Sequence, residues 1–168
     1  MERQLEHMTE QATNFLPKST LSKKQVINHL TQYLHKKITA QREQIESLKE
    51  SRNSDGKNSA GDKYETGVEM IQQEIGQAQQ QIDQFKKQLD EVQRAQTHND
   101  VSSIGFGNLV ITDQDQYFLA IGLGQLDIEG KNCYCISMQS PFGMALLGKT
   151  KGDEVIFNSN KHLIKEIL

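Results

Sequence analysis

Tryptophan is missing from this 168-residue chain, and cysteine and proline appear only twice each. Without tryptophan, only four tyrosines and six phenylalanines supply aromatic packing. Aromatic residues make up 6% and hydrophobic residues 35%, with a mean hydropathy of −0.66, which is lean for one compact globule. No run approaches the roughly 20 apolar residues of a membrane-spanning helix. The opening Met1-Glu2-Arg3-Gln4-Leu5-Glu6-His7 lacks the basic-then-apolar pattern of a signal peptide. The expectation is a soluble, cytoplasmic protein with no membrane partner. Cys133 and Cys135, separated by Tyr134, have neither a CxxC pattern nor a histidine cluster beside them, so no zinc site is supported. In a strand the two would share one face, as buried thiols.

What the chain does have is periodicity. Tyr64, Val68, Ile71, Ile75, Ala78, Ile82, Phe85, Leu89 and Val92 alternate steps of four and three, the signature of a helix with a narrow apolar seam that needs a partner helix. Upstream, Ile27, Leu30, Leu34, Ile38, Ile45 and Leu48 keep a related spacing. Its one slip, two consecutive steps of four across Leu30, Leu34 and Ile38, has the form of a stutter. Between the runs lies a polar, glycine-bearing stretch. The pattern predicts an antiparallel coiled-coil hairpin over residues 21–98, with its tip at about 52–63 and a tail over 1–20 that ends in a break at Pro17. Ser22 stands where it could cap the first helix. From Leu21 to Arg52 there are seven basic and three acidic residues, and from Asp62 to Gln96 four basic and seven acidic. Arms of opposite charge favour pairing within one chain, hence a monomer. The excess Lys23, Lys24, Lys36, Lys37, Arg42 and Lys49 read as a solvated face, or alternatively as a surface toward a nucleic-acid backbone.

Residues 99–168 change character. Short β-prone runs at 109–112, 117–121, 133–136, 155–157 and 163–167 are separated by turn material, including all of Gly122 to Gly130. Ser140 before Pro141, with Gly148 seven residues further on, marks a two-turn helix. The fold class is therefore α+β with two domains: a long helical hairpin, then a small antiparallel sheet of five strands with one short helix.

The stretch Ile136-Ser137-Met138-Gln139-Ser140-Pro141-Phe142-Gly143-Met144-Ala145-Leu146-Leu147-Gly148-Lys149-Thr150-Lys151-Gly152-Asp153-Glu154-Val155 resembles the C-terminal signature of the Gre transcript-cleavage factors, in which a helical hairpin also comes first. Ser59 to Gly67 resembles the tip of a branch of that family found in Bacteroidetes. The resemblance covers about residues 21–168 and implies an FKBP-like fold for the C-terminal domain. It also implies a transcription elongation factor that binds bacterial RNA polymerase at the rim of the secondary channel and inserts its coiled coil. Acidic tip residues then approach the polymerase active centre, where they help hold a Mg²⁺ ion and position water while the polymerase cuts its own backtracked RNA.

On that basis the tip candidates are Asp55, Asp62 and Glu65. Asn58 stands at the second acidic place of the family pattern, and Asp62 and Glu65 alternatively serve as ordinary acids at a helix N-terminus. The partner-binding candidates are Gln139, Ser140, Pro141 and Phe142, with Gln139 replacing an acid. The resemblance implies no intrinsic cofactor or metal, only Mg²⁺ shared with the polymerase. Contact with DNA and nascent RNA would come through the elongation complex. The factor is expected to be an accessory of the polymerase and not itself an enzyme. Three other readings stand beside cleavage stimulation: a channel-occupying modulator without cleavage, a coiled-coil adaptor, and a peptidyl-prolyl isomerase suggested by fold analogy alone.

Overall fold

The computed structural model describes residues 20–55 and 62–168. Two long helices come first, α1 (Lys23–Asp55, 33 residues) and α2 (Asp62–Thr97, 36 residues), which at 1.5 Å per residue are about 50 and 54 Å long. A reciprocal cap starts α1. The Gln25 amide donates to Ser22 Oγ at 3.3 Å, and the Ser22 amide donates to Gln25 Oε1 at 2.9 Å, so two of the orphan N–H groups of the first turn are satisfied. The helices run antiparallel. At one end Lys23 Nζ donates to the His98 carbonyl; towards the other, Arg52 Nη1 donates to Gln72 Oε1 at 3.3 Å.

Six strands and a short helix follow: β1 (Leu109–Thr112), β2 (Gln116–Ala120), β3 (Gly124–Ile128), β4 (Lys131–Ser137), α3 (Pro141–Leu146), β5 (Glu154–Phe157) and β6 (Asn160–Ile167). They form one sheet in the order β3-β4-β2-β1-β6-β5. Two expectations are corrected here. Gly122 to Gly130 is not all turn, because residues 124–128 form an edge strand. The sheet is also mixed, because β2 and β4 pair in parallel, Tyr117 opposite Tyr134 and Leu119 opposite Ile136. Both corrections share one cause. Glu129 and Gly130, at φ 55° and 77°, make a two-residue turn that folds β3 back on β4. β3 takes the outer edge, and β4 lies against β2 in the same direction as β2. The other pairings are antiparallel.

Side chains alternate across the sheet. Leu109, Ile111, Phe118, Ala120, Cys133 and Cys135 point to one face, where they join Leu21, Val26, Ile27, Leu30 and Leu34 of the α1 end and Val92 and Ala95 of α2 in one buried cluster. Val110, Tyr117, Leu119 and Ile164 belong to the opposite face, closed by Leu146 of α3, Val155 and Ile104. The hairpin base is thus built into the sheet domain. Leu21 N–H reinforces the joint by donating to buried Gln116 Oε1 at 2.6 Å, and Gln25 Nε2 donates to Glu129 at 2.6 Å.

Further out the hairpin is on its own. Ile38, Ile45, Ala78 and Ile82, with Ile75 and Phe85 against them, form a separate cluster made of helix residues alone. The slip in the α1 spacing falls at this boundary: Leu34 belongs to the cluster shared with the sheet and Ile38 to the rod. From Ile38 to Asp55 the helix extends about 26 Å beyond the sheet-bound layer.

Candidate partner-docking surface and rod tip

Asp55 ends α1 and Asp62 begins α2, with Glu65 one turn into it. The two helix ends therefore bring all three acids to the far end of the rod. The side chains of these acids and the loop 56–61, which carries Asn58, lie outside the described residues, as does the tail 1–19. Among the described residues no three His, Cys, Asp or Glu side chains come together in a group that could hold a metal ion.

The second site surrounds α3. Ser140 is extended at φ −66°, ψ 152° and caps the helix; its Oγ accepts from Gly143 N–H at 3.0 Å and its hydroxyl donates to the Ser137 carbonyl at 2.7 Å. Both hydroxyl functions are therefore engaged within the chain. Gly143 is required by this turn, because a Cβ there would lie 2.2 Å from the Ser137 carbonyl oxygen. Phe142 turns inward, with ring centroids 4.8 Å from Tyr117 and 4.9 Å from both Phe157 and His162. Tyr117 also stacks on Tyr134 at 5.4 Å. Four of the ten aromatic residues, Tyr117, Tyr134, Phe142 and Phe157, therefore pack together here.

Of the four sequence candidates, Gln139 and Pro141 remain exposed, while Ser140 and Phe142 are consumed by local structure. Sequence reasoning missed what lies beside them. Met144 is 59% exposed, and Leu147, the C-cap just past the end of α3, is 46% exposed; with Pro141 they recur at every third position. That spacing was visible in the sequence, but a six-residue helix is too short to show which side faces the sheet.

Charge and burial shape the surroundings. Burial, with the charges of Asp115 and Asp113 and the neighbouring Tyr134 adding to it, pushes the Tyr117 phenol well above its ordinary value of 10.0. The Asp153 carboxylate accepts from the Thr150 amide at 2.7 Å and from its hydroxyl at 3.1 Å; these bonds hold it below the ordinary 3.8. On the other face of the sheet, its hydrogen bond with Cys133 and its burial raise the Cys135 thiol, which stays protonated; both cysteines are buried and free. His162 Nδ1 is buried with no hydrogen-bond partner among the described residues. No described helix is long and apolar enough to cross a membrane. Compared with known proteins, the chain matches no family model, no curated protein and no solved structure.

Proposed function

We propose that this chain is an accessory factor of bacterial RNA polymerase, of the Gre-like type, whose sheet domain docks outside the secondary channel while the rod enters it. The observation that carries the reading is the freestanding outer part of the hairpin. A two-helix rod about 26 Å longer than its anchored base buries little surface for its length, and reach is what such a build provides. The Ser140-Pro141 helix lies on the sheet face opposite the hairpin base, so gripping a partner and presenting the rod use separate surfaces. The sequence signature from Ile136 to Val155 supports the same reading.

In this proposal Asp55, Asp62 and Glu65 would bring carboxylate oxygens to the polymerase active centre, the ligand type a Mg²⁺ ion prefers. The chemistry would be the polymerase's own, and the factor would contribute charge and position to it. Asn58 in place of an acid favours a second version, in which the rod occupies the channel without stimulating cleavage. An amide can accept a hydrogen bond from water but brings no charge to a metal.

Adding the purified protein to a stalled, backtracked elongation complex, and scoring binding and RNA shortening together, tests the proposal. The cleavage version predicts shortening that falls at least tenfold when Asp55, Asp62 and Glu65 are changed together to their amides, with binding kept. Binding without shortening assigns the modulator version. Absence of binding overturns the polymerase reading and leaves the coiled-coil adaptor.

A further inference from the structure

Both helices of the hairpin are locked to the sheet at their base. The Leu21 amide binds Gln116 at the start of β2, and Gln25 binds Glu129 in the turn between β3 and β4. Beyond the end of α2, the Gly107 amide donates to the Leu119 carbonyl at 2.6 Å. Gly107 also lies so close to α2 that a Cβ there would stand 3.1 Å from the Ala95 backbone. Base and sheet therefore move as one piece, and any swing of the rod must arise further out.

One level of the hairpin is built for it. Lys23 meets His98 at one end and Arg52 meets Gln72 towards the other, so Leu34 to Ile38 on α1 lies across from Phe85 to Leu89 on α2. Four features coincide there. The buried seam divides, with Leu34 in the cluster shared with the sheet and Ile38 in the rod cluster. Half-buried Phe85 packs against both clusters and so bridges them. The α1 seam slips through two steps of four while α2 keeps its alternation of four and three, so the facing seams fall out of step where the supercoil unwinds. Finally, Gln88 Oε1 is buried with no hydrogen-bond partner among the described residues, and an unpaired buried acceptor works against tight closure of the interface around it.

We propose that this level, Leu34–Ile38 with Phe85–Leu89, is a hinge about which the outer rod swings as a rigid piece relative to the base and sheet. The inference stands apart from the polymerase reading, because every observation behind it lies within the chain. A bend of about 10° here carries the far end of α1 about 5 Å sideways over its 26 Å reach. The outer rod then adjusts to whatever it enters while the sheet domain keeps its place. Gln88 supplies the loosening, and Phe85 remains in contact with both sides through the motion.

Double electron–electron resonance on the full chain tests the hinge. Spin labels are placed on pairs of introduced cysteines at exposed positions, the native Cys133 and Cys135 being fully buried. Lys165→Cys with Gln73→Cys reports sheet to outer rod, Lys165→Cys with Gln93→Cys sheet to base, and Ala40→Cys with Gln73→Cys the outer rod alone. The expected sheet-to-rod distance distribution is about twice as broad as the other two. A sheet-to-rod distribution as narrow as sheet-to-base overturns the hinge. An equally broad distribution within the outer rod also overturns it, because the helices are then splaying and not swinging together. In Gln88→Leu the sheet-to-rod distribution should narrow towards the two controls, with a thermal midpoint at or above that of the wild type. An unchanged width, or a lowered midpoint, removes Gln88 as the cause of the loosening.

Discussion

At the base of the hairpin, Val26, Leu30 and Leu34 of α1 and Val92 and Ala95 of α2 are completely buried. Along the outer rod the same seam keeps Ile38, Ile45, Ala78 and Ile82 buried at 3–7% exposure, and then thins to half-buried Leu48, Val68, Ile71 and Ile75. The residue types hardly change, but the number of elements around them does. At the base each side chain meets the partner helix and the sheet, whereas further out it meets the partner helix and water. An even apolar rhythm in a sequence therefore does not mean even stability along the rod. The base is the foundation of the whole molecule, and the outer rod is an extension whose local opening need not unfold anything else.

The comparison can be broken most forcefully at the joint. Phe118 is completely buried beneath the helices, and Phe118→Ala should cost about 3–5 kcal/mol, with the helical and sheet signals lost together in one urea transition. Two separate transitions would show that base and sheet are not one unit. The corresponding change in the rod is Ile82→Ala, at a residue 3% exposed among helix residues only. Here about 2 kcal/mol is expected, the low end for such truncations, because an open seam can close up. Native-state hydrogen exchange should show faster amides on both sides of Ile82 and unchanged amides in β1, β2 and β4.

Ser140→Ala removes the cap of α3 and should cost about 1 kcal/mol. The added exchange should be confined to α3 and its flanks, with the rod unaffected. The smallest effect should be one of pH. The folded pKa of Tyr117 lies above its unfolded value, so its contribution to stability is complete below about pH 10 and is lost as pH rises through the folded value. Tyr117→Phe should flatten the fall in stability above pH 10, measured by urea unfolding at successive pH values; an unchanged slope would mean the phenol does not set it.

The sequence made the hairpin legible because a seam of steps three and four, spread over Tyr64 to Val92, has no other physical interpretation. The capped start of α3 was equally plain, since Ser140, Pro141 and Gly148 each have a positional reason to be there. β3 was hidden because Gly124-Gln125-Leu126-Asp127-Ile128 has one β-branched residue and two residues typical of turns. It is held as a strand by its pairing with β4 and not by its own preference. The parallel pairing of β2 with β4 follows from that missed strand. At the candidate site the sequence showed the helix start but not where the side chains around it point. Nothing in the string around Phe142 says that Tyr117, Phe157 and His162, from three different strands, converge to pack against it.

The most direct test of the account places one cysteine-linked crosslinker at a time on the full chain bound to an elongation complex. The native Cys133 and Cys135 are fully buried, so single cysteines at exposed Asn53 near the rod tip or exposed Gln139 beside α3 would label selectively. The account predicts crosslinks from Asn53→Cys to polymerase segments lining the active centre, and from Gln139→Cys to the outer rim. Crosslinks from Asn53→Cys to the polymerase exterior alone would contradict it.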